Sequence, residues 1–326
     1  MSFTRRAALA LPALTLPALA RPVLAQGWAP QRPLRFIVPF AAGGATDIVA
    51  RVLAEPMGER LGQAVAVENR TGAGGNVGVE FAARSAPDGH TILMGTTGTL
   101  TINPHLYSNM GFNPLTDLAP VSLAFGTDHV LIVNPNVPAQ NAQDFLALVR
   151  SQPGRLSYGS GGNGTSTHTV AELFKLVARV DIQHVPYRGS APALNDTVAG
   201  NVQVMLDQMA SALPMIQIGR VRALAVTGAR RHAALPDVPT MAELGLPAAE
   251  ASSWGAVLAP SGTPAPVIQR LNAVMRESLG LQAVKDRLTQ VGADALTSTP
   301  EELATYLRAE TEKWGRVVRE ARITVN

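Results

Sequence analysis

Two glycine-rich loops and two isolated charged residues could do chemistry in this chain. The first loop lies in Val38-Pro39-Phe40-Ala41-Ala42-Gly43-Gly44-Ala45-Thr46-Asp47, where an apolar run ends in small residues and a glycine pair. A helical pattern follows at once in Ile48, Val49, Val52, Leu53, Met57 and Leu61. A strand that stops at glycines before a helix leaves backbone N–H groups free to hold an anion. Spacing alone leaves two readings open. Phe40 to Gly44 form either a carboxylate seat or a tight turn with Asp47 as its cap. The loop carries no nucleophile, no metal ligand and no lysine.

The second loop runs from Tyr158 to Thr165. Gly159-Ser160-Gly161-Gly162-Asn163-Gly164 fits the dinucleotide pattern G-x-G-x-x-G, which is weak alone. That pattern needs an early βαβ unit and an acid at the end of the next strand. Gln183-His184-Val185-Pro186 stands there instead, with Asp181 at its start. No lysine follows the glycines, so a P-loop does not fit either. His168 could act as a base toward Ser160 or Thr165, which gives a hydrolase reading against a purely structural histidine. The elbow pattern G-x-S-x-G is one residue short on the first side of Ser160.

Arg188, in Tyr187-Arg188-Gly189, ends another strand and could pair with an acidic ligand or form a surface salt bridge. Asp207 also ends a strand and could accept from an amine, a hydroxyl or a water, or cap a loop. The six histidines show no H-x-x-x-H pair, so no catalytic metal is expected. Cysteine is absent, which excludes disulfides, thiolate metal sites and a cysteine nucleophile.

The elements that must position these residues alternate between strand and helix. Leu34–Phe40 reads as a strand before a helix to about Leu61, with Pro56 expected to kink that helix or shift its boundary. Val121–Phe125 and His129–Val133 read as two short strands around Gly126-Thr127-Asp128. Leu156–Tyr158 feeds the second loop, and a helix follows from about Ser166. Val202–Leu206 leads to Asp207, and Thr299 is expected to cap the last helix. The alternation predicts mainly parallel sheet with helices on both faces. About ten strands are too many for one comfortable sheet. Two sheets are expected, with crossovers near Gly126 and near Ser252-Ser253.

The chain has 326 residues, 46% apolar and only 5% aromatic, so its core must be mostly Ala, Val, Leu and Ile. Residues 1–25 read as a leader: Arg5 and Arg6, then an apolar stretch from Ala7 to Ala20, then Val23-Leu24-Ala25 as a cleavage site. Thr4-Arg5-Arg6-Ala7-Ala8-Leu9 also resembles a twin-arginine signal. Removing the leader takes three arginines and no acid from 27 basic residues, leaving 24 against 24 acidic ones. The mature chain is neutral and has no basic stripe, so nucleic acid is not an expected partner. A leader with no later span and no lipid-bearing cysteine implies export to the periplasm as a soluble protein.

Several phrases in order resemble the Bug family, the periplasmic solute receptors of tripartite tricarboxylate transporters. They are Pro33 to Gly44, Val67 to Asn76, Pro87-Asp88-Gly89-His90-Thr91, Ile102 to Tyr107, Pro186-Tyr187-Arg188-Gly189 and Leu235 to Thr240. Each is modest alone; together they span essentially the whole mature chain. The resemblance implies a two-lobed α/β periplasmic binding protein fold with a ligand cleft between lobes. The implied division is 26–125 plus 253–326 for lobe 1 and 126–252 for lobe 2. It implies a small carboxylate ligand: an amino acid, a di- or tricarboxylate or an aromatic acid. The carboxylate is expected to be held through two waters between Phe40, Ala41, Ala42, Gly43 and Gly44, with Asp47, and Ser160, Gly162, Asn163, Gly164 and Thr165, with His168. Thr96 and Thr97 match a strand end lining the cleft, and Arg188 and Asp207 are further candidates. No cofactor, metal or catalysis is expected, and the receptor is expected to act as a monomer with the membrane components of such a transporter. An exported NAD(P)-dependent oxidoreductase and a serine hydrolase using Ser160 and His168 are the alternatives.

Overall fold

The computed structural model describes residues 28–320 together with Ile323 and Thr324; the leader assigned to residues 1–25 lies outside them. In the first lobe, β1 (Leu34–Val38) pairs in parallel with β2 (Val65–Asn69) and β3 (Thr91–Thr96). The crossovers are α1 (Ala45–Leu61) and α2 (Asn76–Ala83). The long strand β4 (Leu118–Val133) leads into the second lobe, where α3 (Ala142–Ser151) is the first helix. There β5 (Ser157–Ser160), α4 (Ser166–Ala178), β6 (Gln183–Pro186), α5 (Ser190–Ala199), β7 (Val204–Gln208), α6 (Met209–Gln217) and β8 (Arg222–Val226) follow. The chain returns through β9 (Ser252–Pro260) to α7 (Ala265–Gly280), α8 (Gln282–Gln290), the short β10 (Asp294–Ala295) and α9 (Pro300–Glu320).

Strand order is β2-β1-β3-β9-β4-β7-β5-β6, with β8 and β10 also paired to β4. The outer ladders are parallel, as the alternation predicts; β5 pairs in parallel with β6 and β7. The centre is antiparallel, because β4 runs against β7, β8, β9 and β10. Gly126, Thr127 and Asp128 do not separate two strands. They sit inside β4, opposite Trp254, Ser253 and Ser252 of β9. The two expected crossovers are therefore one antiparallel strand pair. Tertiary pairing overrides the local turn chemistry here, and Thr127 Oγ1 anchors it by donating to the Gly292 carbonyl at 3.0 Å.

Pro56 does not end its helix. α1 runs on to Leu61 and stops at Gly62, whose φ of 67° is left-handed. The buried stripe of Val49, Val52, Leu53, Met57 and Leu61 holds it across the missing N–H. Thr299 caps α9 as expected, in a capping box. Its hydroxyl accepts from Glu302 N at 3.1 Å while its N–H donates to the Glu302 carboxylate at 2.8 Å. Between β3 and β4 the chain makes a π-helical turn, Gly98–Ile102, and a 3-10 turn, Asn103–His105, neither of which the sequence signals. One core gathers Phe36, Val38, Leu53, Phe125 and Leu271; another gathers Leu131, Phe145, Tyr158, Phe174 and Leu206.

Candidate ligand cleft

The first loop is held from behind. Asp47 is buried in the first turn of α1. Its carboxylate accepts from Gly43 N at 2.9 Å, Asn69 Nδ2 at 2.8 Å and Arg51 Nε at 2.9 Å. Burial alone would raise its pKa, but the bonds from Arg51, Gly43 and Asn69 outweigh burial and hold it below the usual carboxylate range. Asn69 Nδ2 also donates to the Phe40 carbonyl at 2.9 Å. Asp47 thus braces the loop, and it takes one N–H of the expected cup, that of Gly43. Gly43 needs its φ of 84°. A Cβ on Gly44 would lie 2.7 Å from Ser190 Oγ, across the cleft. Ala42 is exposed and Ala41 half-buried. Neither lines the cavity described below.

The second loop closes on itself. Ser160 is fully buried; its Oγ lies 2.6 Å from His184 Nε2 and accepts from Gly162 N at 3.1 Å. Gly161 N donates to Thr167 Oγ1 at 2.8 Å, and Gly164 N to His168 Nδ1 at 3.2 Å. Thr165 Oγ1 donates to the Gly162 carbonyl at 2.7 Å. The amides of Gly161, Gly162 and Gly164 are therefore bonded to the loop and to the first turn of α4, because a buried N–H must find a partner. Behind it His168 stacks on His184 at 4.2 Å and His184 on Tyr158 at 4.8 Å. The Tyr158 hydroxyl donates to Glu172 at 2.5 Å. Burial pushes His184 down to about 3 and His168 down to about 4, so both rings are neutral at pH 7 and can accept. The partner of Ser160 is His184, not His168, and the Ser160 oxygen is fully buried.

Between the loops lies a cavity of about 30 Å³, room for about two waters. Phe40, Gly44, Ala45, Thr46 and Thr96 line one side. Gly161, Thr165, Ser166, Thr167, Ser190 and Gln208 line the other. No lining residue is titratable. Four helices begin there: α1, α4, α5 and α6, and none has a side-chain cap. Their first-turn N–H groups and dipoles make the cavity electropositive without a cation. The lobes touch around it. Tyr107 Oη donates to the Asn163 carbonyl at 2.7 Å, and a Cβ on Gly189 would lie 2.9 Å from Ala41 N.

The other candidates fall outside the cavity. Thr97 is buried against β9; its hydroxyl accepts from Trp254 N at 2.9 Å and lies 3.2 Å from the Trp254 carbonyl. Arg188 is exposed and forms no ion pair among the described residues. Asp207 is completely buried, and Ser211 Oγ donates to its Oδ2 at 2.6 Å. Its other oxygen has no partner, and burial raises its pKa to about 7. β7 extends one residue past Asp207, and side chains alternate along it, so Gln208 lines the cavity in its place. Thr46, Ser166, Thr167 and Ser190 also escaped the sequence reading. Their shared signal is a small hydroxyl residue in the first turn of a helix that follows a strand.

The fold has known counterparts. A family model described as the tripartite tricarboxylate transporter family receptor matches residues 49–323. The chain belongs to that family. Protein BugT of Bordetella pertussis is 38% identical over 292 residues, covering 89% of this chain and 90% of BugT. The solved structure of the periplasmic binding protein BugD has a TM-score of 0.88 at 35% identity, covering 90% of this chain and 99% of its own. The structure of R. palustris Rpa4515 with adipate gives the same TM-score, 0.88, at 35% identity, with the same coverage of 90% and 99%. This receptor is a solute-binding protein of the Bug type, and the proteins it resembles are binding proteins.

Proposed function

We propose that this receptor captures a small carboxylate in the periplasm without transforming it, and delivers it to a tripartite tricarboxylate-type transporter or a sensing system. The observation that carries the reading is the convergence of four uncapped helix N-termini on a cavity with no charged side chain. Fixed N–H donors orient an anion and still release it, because no buried ion pair has to be broken. Relatives support the ligand class, since Rpa4515 was solved with adipate.

The lobes are assigned as 26–125 plus 253–326 and 126–252, with residues 1–25 as the cleaved leader and the mature receptor a monomer. They open and close by bending where β4 and β9 pair, at Gly126 to Asp128 against Ser252 to Trp254. The contacts at Tyr107 and Gly189 belong to the closed form. Calorimetric titration of the purified receptor against a panel of mono-, di- and tricarboxylates, amino acids and aromatic acids tests this. One-to-one binding of at least one acid is expected. Binding of no acid, or hydrolysis or reduction of a bound compound, would overturn it.

A further inference from the structure

The strands that join the lobes carry like charge on the side away from the cleft. His129 of β4 stands opposite Gln208, which lines the cavity, so its neighbour Asp128 faces the other side of the sheet. Asp128 pairs with Ser252 of β9. Gly126, two residues earlier and on the same face, pairs with Asp294 of β10. Glu250 stands two residues before Ser252. All three carboxylates border a groove of about 720 Å³ that shares no lining residue with the cleft cavity. None of them forms an ion pair among the described residues.

The cations that border the same groove leave this charge uncompensated. Arg231 pairs with Glu243 at 3.0 Å, and Lys313 with Glu310 at 3.0 Å. Arg230 is exposed and pairs with neither Asp128 nor Asp294. Asp128 is half-buried under the loop after β8, and a Cβ on Gly228 would run into its carboxylate. Burial, then the charges of Asp294 and Glu250, push Asp128 up to about 6 against the opposing pull of Arg230. Asp128 is therefore mostly protonated at pH 5 and ionised at pH 8. Burial holds His232 below the usual histidine range despite Asp294; any proton it takes up in acid also reduces the net negative charge. His129, on the cleft side, is driven down to about 3 by burial and stays neutral throughout.

On the lobe assignment above, Asp294 belongs to lobe 1 and Glu250 to lobe 2, with Asp128 at the line between them. Opening the cleft bends the sheet backward and brings Asp294 toward the other two. We infer that these three carboxylates form a repulsive cluster behind the hinge, which favours closed lobes while Asp128 is ionised and lets them open once it is protonated. The inference rests on the hinge reading of the Proposed function. Acid loosens the receptor in this way although no residue lining the ligand cavity titrates.

The chain has no cysteine, so Ser108→Cys in lobe 1 and Gln152→Cys in lobe 2, both at exposed positions, place two spin labels on the full mature receptor. Pulsed electron resonance then reads the separation of the lobes without ligand. From pH 8 to pH 5 the longer separation is expected to gain about 5-fold over the shorter one, the lower end of coupling between two sites. In 1 M salt, where the Debye length is about 3 Å, that gain should shrink. Asp128→Asn should show the wild-type pH 5 distribution at both pH values, which also removes the share of Asp207, a buried group of the second lobe that titrates in the same window. Thermal melts report folding, and Asp294→Asn, at an exposed position, is a second variant expected to show a smaller gain than wild type. A wild-type distribution unchanged by pH, or a change that survives at full size in either variant, overturns the inference. Tyr107→Phe, which removes a bond between the lobes, separates this failure from failure of the hinge. Lengthening in that variant with no response to pH overturns the repulsive cluster alone. One fixed distance in every variant and at every pH overturns the hinge reading with it.

Discussion

The Tyr107 hydroxyl donates to the Asn163 carbonyl at 2.7 Å, a bond that runs from the turn after β3 to the glycine loop of the opposite lobe. The proposed opening of the lobes would break it. Tyr107→Phe is expected to weaken ligand binding about 2- to 10-fold, the range for one neutral hydrogen bond. The loss should appear as a faster off-rate in stopped-flow displacement. Midpoint denaturant and thermal melt without ligand should stay within experimental scatter. A slower off-rate, or an unchanged one, would contradict a closing role for this contact.

Asp47 supports the first loop from behind. Asp47→Ala leaves the Gly43 N–H without its acceptor and removes one of the two acceptors of Asn69 Nδ2, which keeps the Phe40 carbonyl. The expected cost is about 1.5–3 kcal/mol in a urea melt, the range for hydrogen bonds to a charged group. The same variant should bind its carboxylate at least 10-fold more weakly, because the loop loses its fixed shape. Its pKa is depressed, so its contribution is complete above the unfolded value and is lost only as pH falls through the folded one. At pH 6 and pH 8 the wild-type minus variant difference should be equal.

Asp207 has the opposite linkage. Burial raises its folded pKa to about 7, above the unfolded value of about 3.9. Between these values the folded protein holds a proton that the unfolded chain has released, so stability falls as pH rises through the window. His168 and His184, depressed to about 4 and 3, act the other way below about pH 6.5, so the total pH profile does not isolate the aspartate. The difference between Asp207→Asn and wild type does. The variant should gain in thermal midpoint relative to wild type on going from pH 5 to pH 8. A constant difference would show that Asp207 is ionised across the whole range.

Much of the fold was legible, and the reasons for the rest are local. Apolar runs ending in glycine or small residues located β1, β3 and β5. The break at Gly126 was misread because turn-like residues are recruited into β4 by a partner strand more than a hundred residues away, Ser252–Pro260. Pro56 stands inside α1, and burial of one helix face carries the helix past it to Leu61. At the site, spacing located both loops but not the direction of their N–H groups. Gly161, Gly162 and Gly164 turn theirs inward because Thr167, Ser160 and His168 offer acceptors. Asp207 and Gln208 differ by one residue, and a strand end read one residue short exchanges the faces they occupy.

Ser160 Oγ lies 2.6 Å from His184 Nε2 beside the cleft. Ser160→Ala removes the acceptor of the Gly162 N–H and the partner of His184 Nε2. A loss of about 1–3 kcal/mol in urea denaturation is expected. Carboxylate affinity should fall with it, because the loop is built on this oxygen. The wild type should not be labelled at Ser160 by a fluorophosphonate. Labelling there would restore the hydrolase reading.

The most direct measurement is a crystal structure of the receptor with the acid that stabilises it most. A carboxylate is expected between the starts of α1 and α4, within hydrogen-bonding distance of the Ala45 or Thr46 and Ser166 or Thr167 N–H groups, directly or through one water, with no arginine or lysine nitrogen within 4 Å, the ion-pair distance. A carboxylate bound by an arginine or lysine, or a ligand seated away from these helix ends, would contradict the claim that uncapped N-termini alone hold the anion.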